Sequence, residues 1–216
     1  MHTEESLWLK KNIIEHKNKI NNILNVGSST KFFREVSQPH IHLNVIRTLN
    51  NLKIKVFNLD LKKDEDIDFC GDILSDSFFN KIKKNQFSSI LCSNILEHVD
   101  DPIEFSKRLM MLVKPGGLIF ITAPTIYPIH YDPIDNNFRP NIFELNKIFN
   151  KSKIINSKLL NVKSLYSTKS NYFFFKLFTR LFIPFYKYRG WLTSMHMLKW
   201  LFKDRYISCV VLEKLR

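Results

Sequence analysis

Short apolar runs alternate with longer stretches of helical periodicity along this chain. The runs predict strands at residues 22–27, 54–59, 67–70, 88–93, 118–123, 154–161 and 207–213. Helical spacing of apolar residues fits 4–20, 31–50, 76–84, 102–113 and 141–150. Strands that are apolar throughout and alternate with helices are typical of a parallel sheet covered on both faces. We therefore predict an α/β fold with a doubly wound, mostly parallel sheet.

The chain is long enough for one core with a small addition. It has 216 residues, of which 44% are hydrophobic and 25% charged, values typical of a globular protein rather than a disordered one. We predict an N-terminal helix at 1–20 and a core domain at 21–165. A basic, aromatic, helical insertion at 166–206 and the final strand of the core sheet at 207–216 complete the chain.

Positive charge is concentrated in the last third. Residues 1–150 hold 19 lysines and arginines against 18 acids, whereas residues 151–216 hold 14 against 2. The net charge of +13 therefore arises almost wholly from the second segment, which favours an anionic partner for it. Low glycine with abundant Lys, Asn and Ile also fits an AT-rich coding sequence, so the lysine count alone carries little weight.

The three cysteines and the first residues predict a compartment. Cys70, Cys92 and Cys209 are far apart and form neither a zinc-binding pattern nor a disulfide framework. The opening residues, "MHTEESLWLKKN", contain acids and no apolar segment of the kind that directs secretion. We expect a cytoplasmic protein with no metal site.

Polar residues follow the predicted strands, where a parallel sheet binds ligands. The first strand ends in the turn Gly27-Ser28-Ser29, and Asp60 follows the second strand, 33 residues after Gly27. A carboxylate there suits two hydrogen bonds from the ribose hydroxyls of an adenosine. Asp72, after the third strand, could accept from an adenine amino group. Either aspartate could instead be an ordinary turn-forming residue.

Five motifs in sequence resemble those of a known family. "ILNVGSS", "NLDL", "GDIL", "LCSNILEHVDDP" and "LVKPGGLIFITAP" occur in the order and spacing of class I S-adenosylmethionine-dependent methyltransferases. The resemblance covers roughly residues 20–150, and the pair "LEHVDDP … LVKPGG" is its most specific part. It implies a Rossmann-like domain with a seven-stranded sheet whose last strand is antiparallel. It also implies S-adenosylmethionine as the cofactor.

The resemblance assigns cofactor contacts residue by residue. The implied cofactor-binding residues are Asn25, Gly27, Ser28, Ser29, Asp60, Leu61, Asp72, Ile73 and Asn94. Two positions depart from the family pattern. Asn25 stands where an acid is usual, and Ser29 replaces a glycine. S-adenosylmethionine has no phosphate, so the turn needs close backbone approach rather than an anion-binding nest, although Ser29 would be strained at positive φ.

The stretch "APTIYPIHYDPIDNNFRP", residues 123–140, resembles a subgroup associated with bacterial surface polysaccharide, lipopolysaccharide or sugar modification. It implies that His130, with His98 as its rival, accepts a proton from a substrate hydroxyl. Tyr131, Asp135 and Arg139 would then bind the substrate. The alternatives are that Asp135 and Arg139 form a salt bridge that folds the loop, and that His98 packs against the next helix.

The basic segment is also aromatic. Residues 171–206 contain 13 of the 29 aromatic residues. Lys176, Arg180 and Pro184 interrupt the apolar run at 171–190, which argues against a membrane-spanning helix. We predict a lid over the acceptor pocket or an amphipathic element at the inner membrane surface. Nucleic-acid binding ranks third, because the segment is more apolar than such a site requires.

The sequence thus predicts a methyltransferase that uses S-adenosylmethionine to methylate an oxygen of a small-molecule, sugar, polysaccharide or glycolipid-type acceptor. One alternative is a non-catalytic, membrane-peripheral binding protein that keeps the fold; Asn25 and Ser29 motivate it. Another is an RNA methyltransferase, which would bind RNA with strong salt dependence.

Overall fold

A single seven-stranded sheet organises the protein. The computed structural model describes residues 1–129, 134–168, 171–182, 191 and 195–216. The strands are β1 (Asn22–Val26), β2 (Lys55–Asp60), β3 (Phe69–Cys70), β4 (Phe87–Ser93), β5 (Val113–Ile126), β6 (Ser152–Asn161) and β7 (Tyr206–Lys214). Each overlaps a strand predicted from an apolar run.

The strand order is β3-β2-β1-β4-β5-β7-β6. β1 pairs in parallel with β2 and β4, β2 with β3, and β4 with β5. β7 lies between β5 and β6 and is antiparallel to both. The predicted α/β fold, with a mostly parallel seven-stranded sheet and an antiparallel last strand, is confirmed. The sequence order reverses between β1 and β4, which is where such sheets bind ligands.

Helices cover both faces of the sheet. They are α1 (Thr3–Glu15), α2 (Pro39–Ile41), α3 (Arg47–Asn51), α4 (Asp76–Ile82), α5 (Pro102–Leu112), α6 (Ile142–Ile148), α7 (Leu165–Thr168) and α8 (Asn171–Phe182). Wider π-type turns at Phe33–Ser37 and His42–Ile46 precede α2 and α3, so the helix predicted at 31–50 is irregular. The strand predicted at 118–123 is longer in the structure, because β5 begins at Val113 and includes the residues "KPGG".

Because side chains alternate in direction along each strand, they pack into two separate apolar clusters, one on each face of the sheet. Trp8 and Leu9 of α1 share one apolar cluster with Ile23 of β1, Leu91 of β4 and Phe120 of β5. The neighbours Leu24, Val26, Cys92 and Ile121 belong to the cluster on the opposite face, together with Leu109 of α5. Because successive strand residues point to opposite faces, Asn25, Ser93 and Thr122 continue the face that α1 covers.

Asp101 caps the N-terminus of α5. Its Oδ1 accepts from the backbone N of Ile103 (3.0 Å) and of Glu104 (2.9 Å), and Pro102 occupies the first turn. We expect Asp101→Ala to lower the free energy of unfolding by about 1 kcal/mol, because two helix-end N–H groups lose their acceptor. Urea unfolding measures this loss. Asp100→Ala, at an exposed neighbouring carboxylate, is the control; an equal loss there would contradict the cap assignment.

The described part of the insertion between β6 and β7 contains the helices α7 and α8. In the described part of the chain, no helix has the length and apolar character needed to cross a membrane. α8 buries Leu177 but leaves Phe175, Phe178 and Phe182 exposed by 67%, 51% and 83%. Residues 183–190 lie outside the described residues. The division of the chain at 20, 165 and 206 stays a prediction.

Candidate functional site

The turn after β1 is bonded directly to the end of β2. The backbone N atoms of Gly27 (2.8 Å) and Ser28 (3.1 Å) both donate to Leu59 O, and Ser29 N donates to Asp60 Oδ2 at 2.7 Å. Gly27 has φ +66° and Ser29 has φ +56°, so the strain expected at Ser29 is present. The glycine turn and the Asp60 carboxylate therefore meet at one point of the sheet edge.

Gly27 is also required by packing. A Cβ at this position would stand 2.0 Å from Cδ1 of Ile95, which follows β4. The turn after β1 and the segment after β4 therefore pack closely, because Gly27 has no side chain. The neighbouring Asn25 is 7% exposed and donates from Nδ2 to Asn58 Oδ1 at 3.0 Å. Ser28 is also buried, at 5% exposure.

The ends of β2 and β3 continue this edge. Lys62 N donates to Asp60 Oδ1 at 2.9 Å, and Gly71 N donates to the backbone O of Asp60 at 3.0 Å. Asp72 therefore lies beside Asp60, as the sequence predicts. Its Oδ1 accepts from Leu74 N (2.8 Å), which is the turn-forming role weighed as the alternative. The Asp72 residue is nevertheless exposed.

Leu61 and Ile73, the two large apolar residues predicted to bind the cofactor, differ in accessibility. Leu61 is 70% exposed beside Asp60. Ile73 is 1% exposed and packs in the core cluster that contains Phe79 and Ile82. The side chain of Ile73 therefore lies in the core, and the cofactor contact predicted for this residue stays a prediction.

Arg34, which sequence analysis missed, forms hydrogen bonds with the turn after β1. Its guanidinium Nη1 donates to the carbonyl O of Ser28 (2.7 Å) and of Ser29 (2.5 Å), while Nη2 pairs with the Asp66 carboxylate. The residue is 4% exposed. Its partners include Asp66, 32 residues away, which no local sequence pattern links to it.

The segment after β4 contacts the N-terminal helix. Asn94, at φ +52°, donates from its backbone N to Thr122 O (2.8 Å) and from Nδ2 to Glu5 Oε1 (2.7 Å). Glu5 is fully buried, and sequence analysis missed it as well. The helix α1 thus carries a carboxylate to the tips of β4 and β5.

A second buried carboxylate follows at Glu97. The residue is 1% exposed, and its Oε2 has no hydrogen-bond partner among the described residues. Burial raises the pKa of Glu97 to about 7, with Glu5 and Asp135 adding to the rise and Arg139 opposing it. Sequence analysis named the neighbouring His98 as a proton acceptor and did not name Glu97. The motif "LCSNILEHVDDP" contains both Glu97 and His98, and only their different burial in the structure distinguishes them.

The loop after β5 docks on this segment. Asn136 N donates to Glu97 O (2.9 Å), and its Nδ2 donates to the carbonyl O of Leu96 (2.9 Å) and of Val99 (2.7 Å). Arg139 Nη2 pairs with Asp135 Oδ2 at 2.5 Å. The predicted alternative, a salt bridge that folds the loop, is therefore present, and substrate contact by these two residues stays a prediction.

Of the two predicted proton acceptors, only His98 lies among the described residues. His98 bonds through Nδ1 to Ile134 O, so it anchors the same loop. His130 and Tyr131 lie outside the described residues. Their predicted roles, as general base and as substrate contact, stay predictions.

Three hydrogen-bonded polar side chains, His2, Tyr127 and Arg205, lie beyond β5. Tyr127 OH bonds to His2 Nε2 (2.9 Å) and accepts from Arg205 Nη1 (3.2 Å). Burial lowers the pKa of His2 to about 4, with Arg205 acting in the same direction and Glu5 opposing it. His2 is therefore neutral near pH 7. The tyrosine joins α1 to the residue that precedes β7.

Comparison with known proteins agrees with this geometry. Residues 27–121 match the model of a family described as a methyltransferase domain. A mitochondrial ubiquinone biosynthesis O-methyltransferase from Dictyostelium discoideum is 40% identical over 48 residues. Those residues are 22% of this chain and 15% of that protein, so the chain matches only a small part of its relative's length.

Solved structures share the fold across nearly the whole chain. A protein described as a putative sarcosine dimethylglycine methyltransferase from Galdieria sulphuraria gives a TM-score of 0.61 at 11% identity, covering 97% of this chain and 84% of that one. Coclaurine N-methyltransferase bound to N-methylheliamine and S-adenosylhomocysteine gives 0.58 at 14% identity, covering 97% and 70%. The [4+2]-cyclase SpnF gives 0.55 at 14% identity, covering 95% and 80%.

The fold is therefore that of the class I methyltransferases, as the sequence motifs imply. The domain match begins at Gly27, directly after β1, and ends at Ile121 within β5, so it contains Gly27, Asp60 and Asn94. The cyclase among the similar structures shows that this fold also supports other chemistry. Activity must therefore be argued from the site.

Proposed function

We propose that the protein is an S-adenosylmethionine-dependent methyltransferase that methylates a hydroxyl oxygen. The observation that carries this proposal is the contact between Ser29 N and Asp60 Oδ2, which holds an acid against the glycine turn. The match to a methyltransferase domain over residues 27–121 supports it.

The residues at the strand ends fit the cofactor. Each Asp60 oxygen accepts one backbone hydrogen bond, which leaves lone pairs for two ribose hydroxyls. The exposed Leu61 side chain offers an apolar surface beside it. Asn94 would border the methionine end, next to the close approach of Gly27 and Ile95.

When bound, the cofactor supplies an electrophilic methyl group. The chain's own residues would hold the acceptor hydroxyl in line with that group and accept its proton. We assign proton acceptance to Glu97, because its unpartnered Oε2 suits a hydroxyl donor and its pKa of about 7 suits a base at neutral pH. His98 is the weaker candidate, since Nδ1 already bonds to Ile134 O.

We propose a sugar, polysaccharide or glycolipid-type acceptor, as in the subgroup that the loop at residues 123–140 resembles. The partial match to a ubiquinone biosynthesis O-methyltransferase supports oxygen as the methylated atom. Acceptor chemistry beyond the hydroxyl rests on that resemblance alone.

Isothermal titration with S-adenosylmethionine and S-adenosylhomocysteine tests cofactor binding. Transfer of a radiolabelled methyl group to a panel of saccharides, glycolipids, phenols and RNA then tests turnover. We expect saturable binding of both ligands and labelling of a hydroxylated acceptor. Binding without transfer to any acceptor supports the non-catalytic alternative, and salt-sensitive labelling of RNA supports the RNA methyltransferase. No binding at millimolar ligand contradicts the proposal.

We also propose that α8 contacts an anionic membrane surface at the inner face of the membrane. The observation favouring it is the exposed row Phe175, Phe178 and Phe182, spaced at helical intervals with the exposed Lys176 beside it. We expect the protein to co-sediment with phosphatidylglycerol vesicles, and replacement of all three phenylalanines by serine to reduce the bound fraction severalfold. Phe143→Ser, at an 81% exposed position on α6, is the control. Unchanged sedimentation of the triple variant contradicts this role.

A further inference from the structure

Glu5 places a buried carboxylate at the tips of β4 and β5. The residue has no exposed surface. Its Oε1 accepts from Ser93 Oγ (2.9 Å), Asn94 Nδ2 (2.7 Å) and Thr122 Oγ1 (2.5 Å), while Oε2 accepts from His2 N (2.9 Å). The carboxylate is thus held by four neutral donors from three separate parts of the chain.

This carboxylate has no counter-charge within the described residues. No lysine, arginine or histidine there approaches it within 4.0 Å, although ten other carboxylate–cation pairs are described, some of which share a residue. His2 is neutral near pH 7 because burial lowers its pKa to about 4. A buried carboxylate is costly unless it is both hydrogen-bonded and paired with a positive charge. Glu5 meets the first condition and lacks the second.

The carboxylate lies on the cofactor side of the sheet. Val26 pairs in register with Cys92, so the next residues, Gly27 and Ser93, are neighbours across β1 and β4. Asn25 lies on the same face as Ser93 and Thr122, and all three are neutral. Glu5 therefore adds negative charge to a face where these strand residues supply none.

Asn94 connects Glu5 to that face. Because its Nδ2 donates to Glu5, its amide oxygen Oδ1 is oriented away from the carboxylate. The residue is half-buried and directly precedes Ile95, which packs against the Gly27 turn. An amide oxygen fixed in this way, with a buried negative charge behind it, is a site for a cationic N–H donor.

We propose that Glu5 is a positioning residue and counter-charge for the ammonium group at the amino-acid end of S-adenosylmethionine, acting through Asn94. The inference rests on the proposed function and deepens it. The cofactor carries an ammonium and a sulfonium, and S-adenosylhomocysteine keeps the ammonium alone. 5′-Methylthioadenosine keeps the adenosine and the sulfur but has no amino-acid end.

Titration of Glu5→Gln with these three ligands tests the assignment. We expect affinity for S-adenosylmethionine and S-adenosylhomocysteine to fall by about tenfold or more, the effect of losing one charge-assisted interaction. Affinity for 5′-methylthioadenosine should stay unchanged. Glu4→Gln, at an exposed neighbour on α1, is the matched control. A further change, Asn25→Asp, should restore part of the lost affinity, because it returns a carboxylate to the same face.

Asn94→Gly provides a second variant if Glu5→Gln proves unstable. It removes the amide and suits the positive φ of this position. We expect the same ligand-selective loss. Equal loss for all three ligands, or no loss for any, overturns the role of Glu5 and leaves the proposed function standing. Failure of the unmodified protein to bind any of them overturns the proposed function itself.

Discussion

Asp60→Ala should abolish binding of S-adenosylmethionine and S-adenosylhomocysteine. The substitution removes the acceptor proposed for two ribose hydroxyls, each charge-assisted hydrogen bond being worth about 1.5–3 kcal/mol. It also releases Ser29 N, whose bond to Oδ2 holds the strained turn. The two ribose hydrogen bonds together contribute about 3–6 kcal/mol, a weakening of about 10²- to 10⁴-fold. Isothermal titration measures this change directly.

Two further variants separate ribose recognition from loosening of the turn. Asp60→Asn keeps an oxygen able to accept from Ser29 N but loses the charge, so we expect an intermediate affinity. Asp100→Ala removes an exposed carboxylate elsewhere and should bind normally. Thermal melting must show that each variant is folded. Undiminished affinity in folded Asp60→Ala would remove Asp60 from the cofactor site.

Local patterns were enough to predict the architecture and one edge of the site. Continuous apolar runs identify the strands, because a strand buried on both faces needs no polar alternation. The position of Asp60 follows from strand geometry, since parallel strands bring their carboxyl ends to one edge. The position of Ser29 at positive φ likewise follows from the tightness of the turn after β1.

Contacts between distant residues were not predictable. Glu5 meets Ser93, Asn94 and Thr122 across 88 to 117 residues, and one of two adjacent glutamates in "HTEESL" carries no sign of that burial. Arg34 reaches the Ser28 and Ser29 carbonyls only because an irregular helix turns it beneath them. The burial of Ile73 has a related cause: the direction of its side chain depends on packing with α4, which the motif does not encode.

Glu97→Gln should make the protein relatively more stable at alkaline pH. The pKa of Glu97 is raised from the ordinary 4.5 to about 7, mainly by burial. Between these values the folded protein binds a proton that the unfolded chain has already released. Stability contributed by this residue therefore falls as pH rises through that window. From pH 5 to pH 8 the unmodified protein should lose about 2–3 kcal/mol of unfolding free energy relative to Glu97→Gln.

Urea unfolding of both proteins at pH 5 and pH 8 measures the difference, and Glu15→Gln, at an exposed position near the end of α1, is the control. Glu15→Gln should follow the unmodified protein at both pH values. Parallel pH profiles for Glu97→Gln and the unmodified protein would contradict the raised pKa.

The same ionisation links stability to the proposed reaction, because Glu97 accepts a proton only in the charged form that burial disfavours. Methyl transfer should therefore increase with pH through about 7 as the folded state weakens, and Glu97→Gln should lose about a hundredfold in kcat while it gains stability at pH 8.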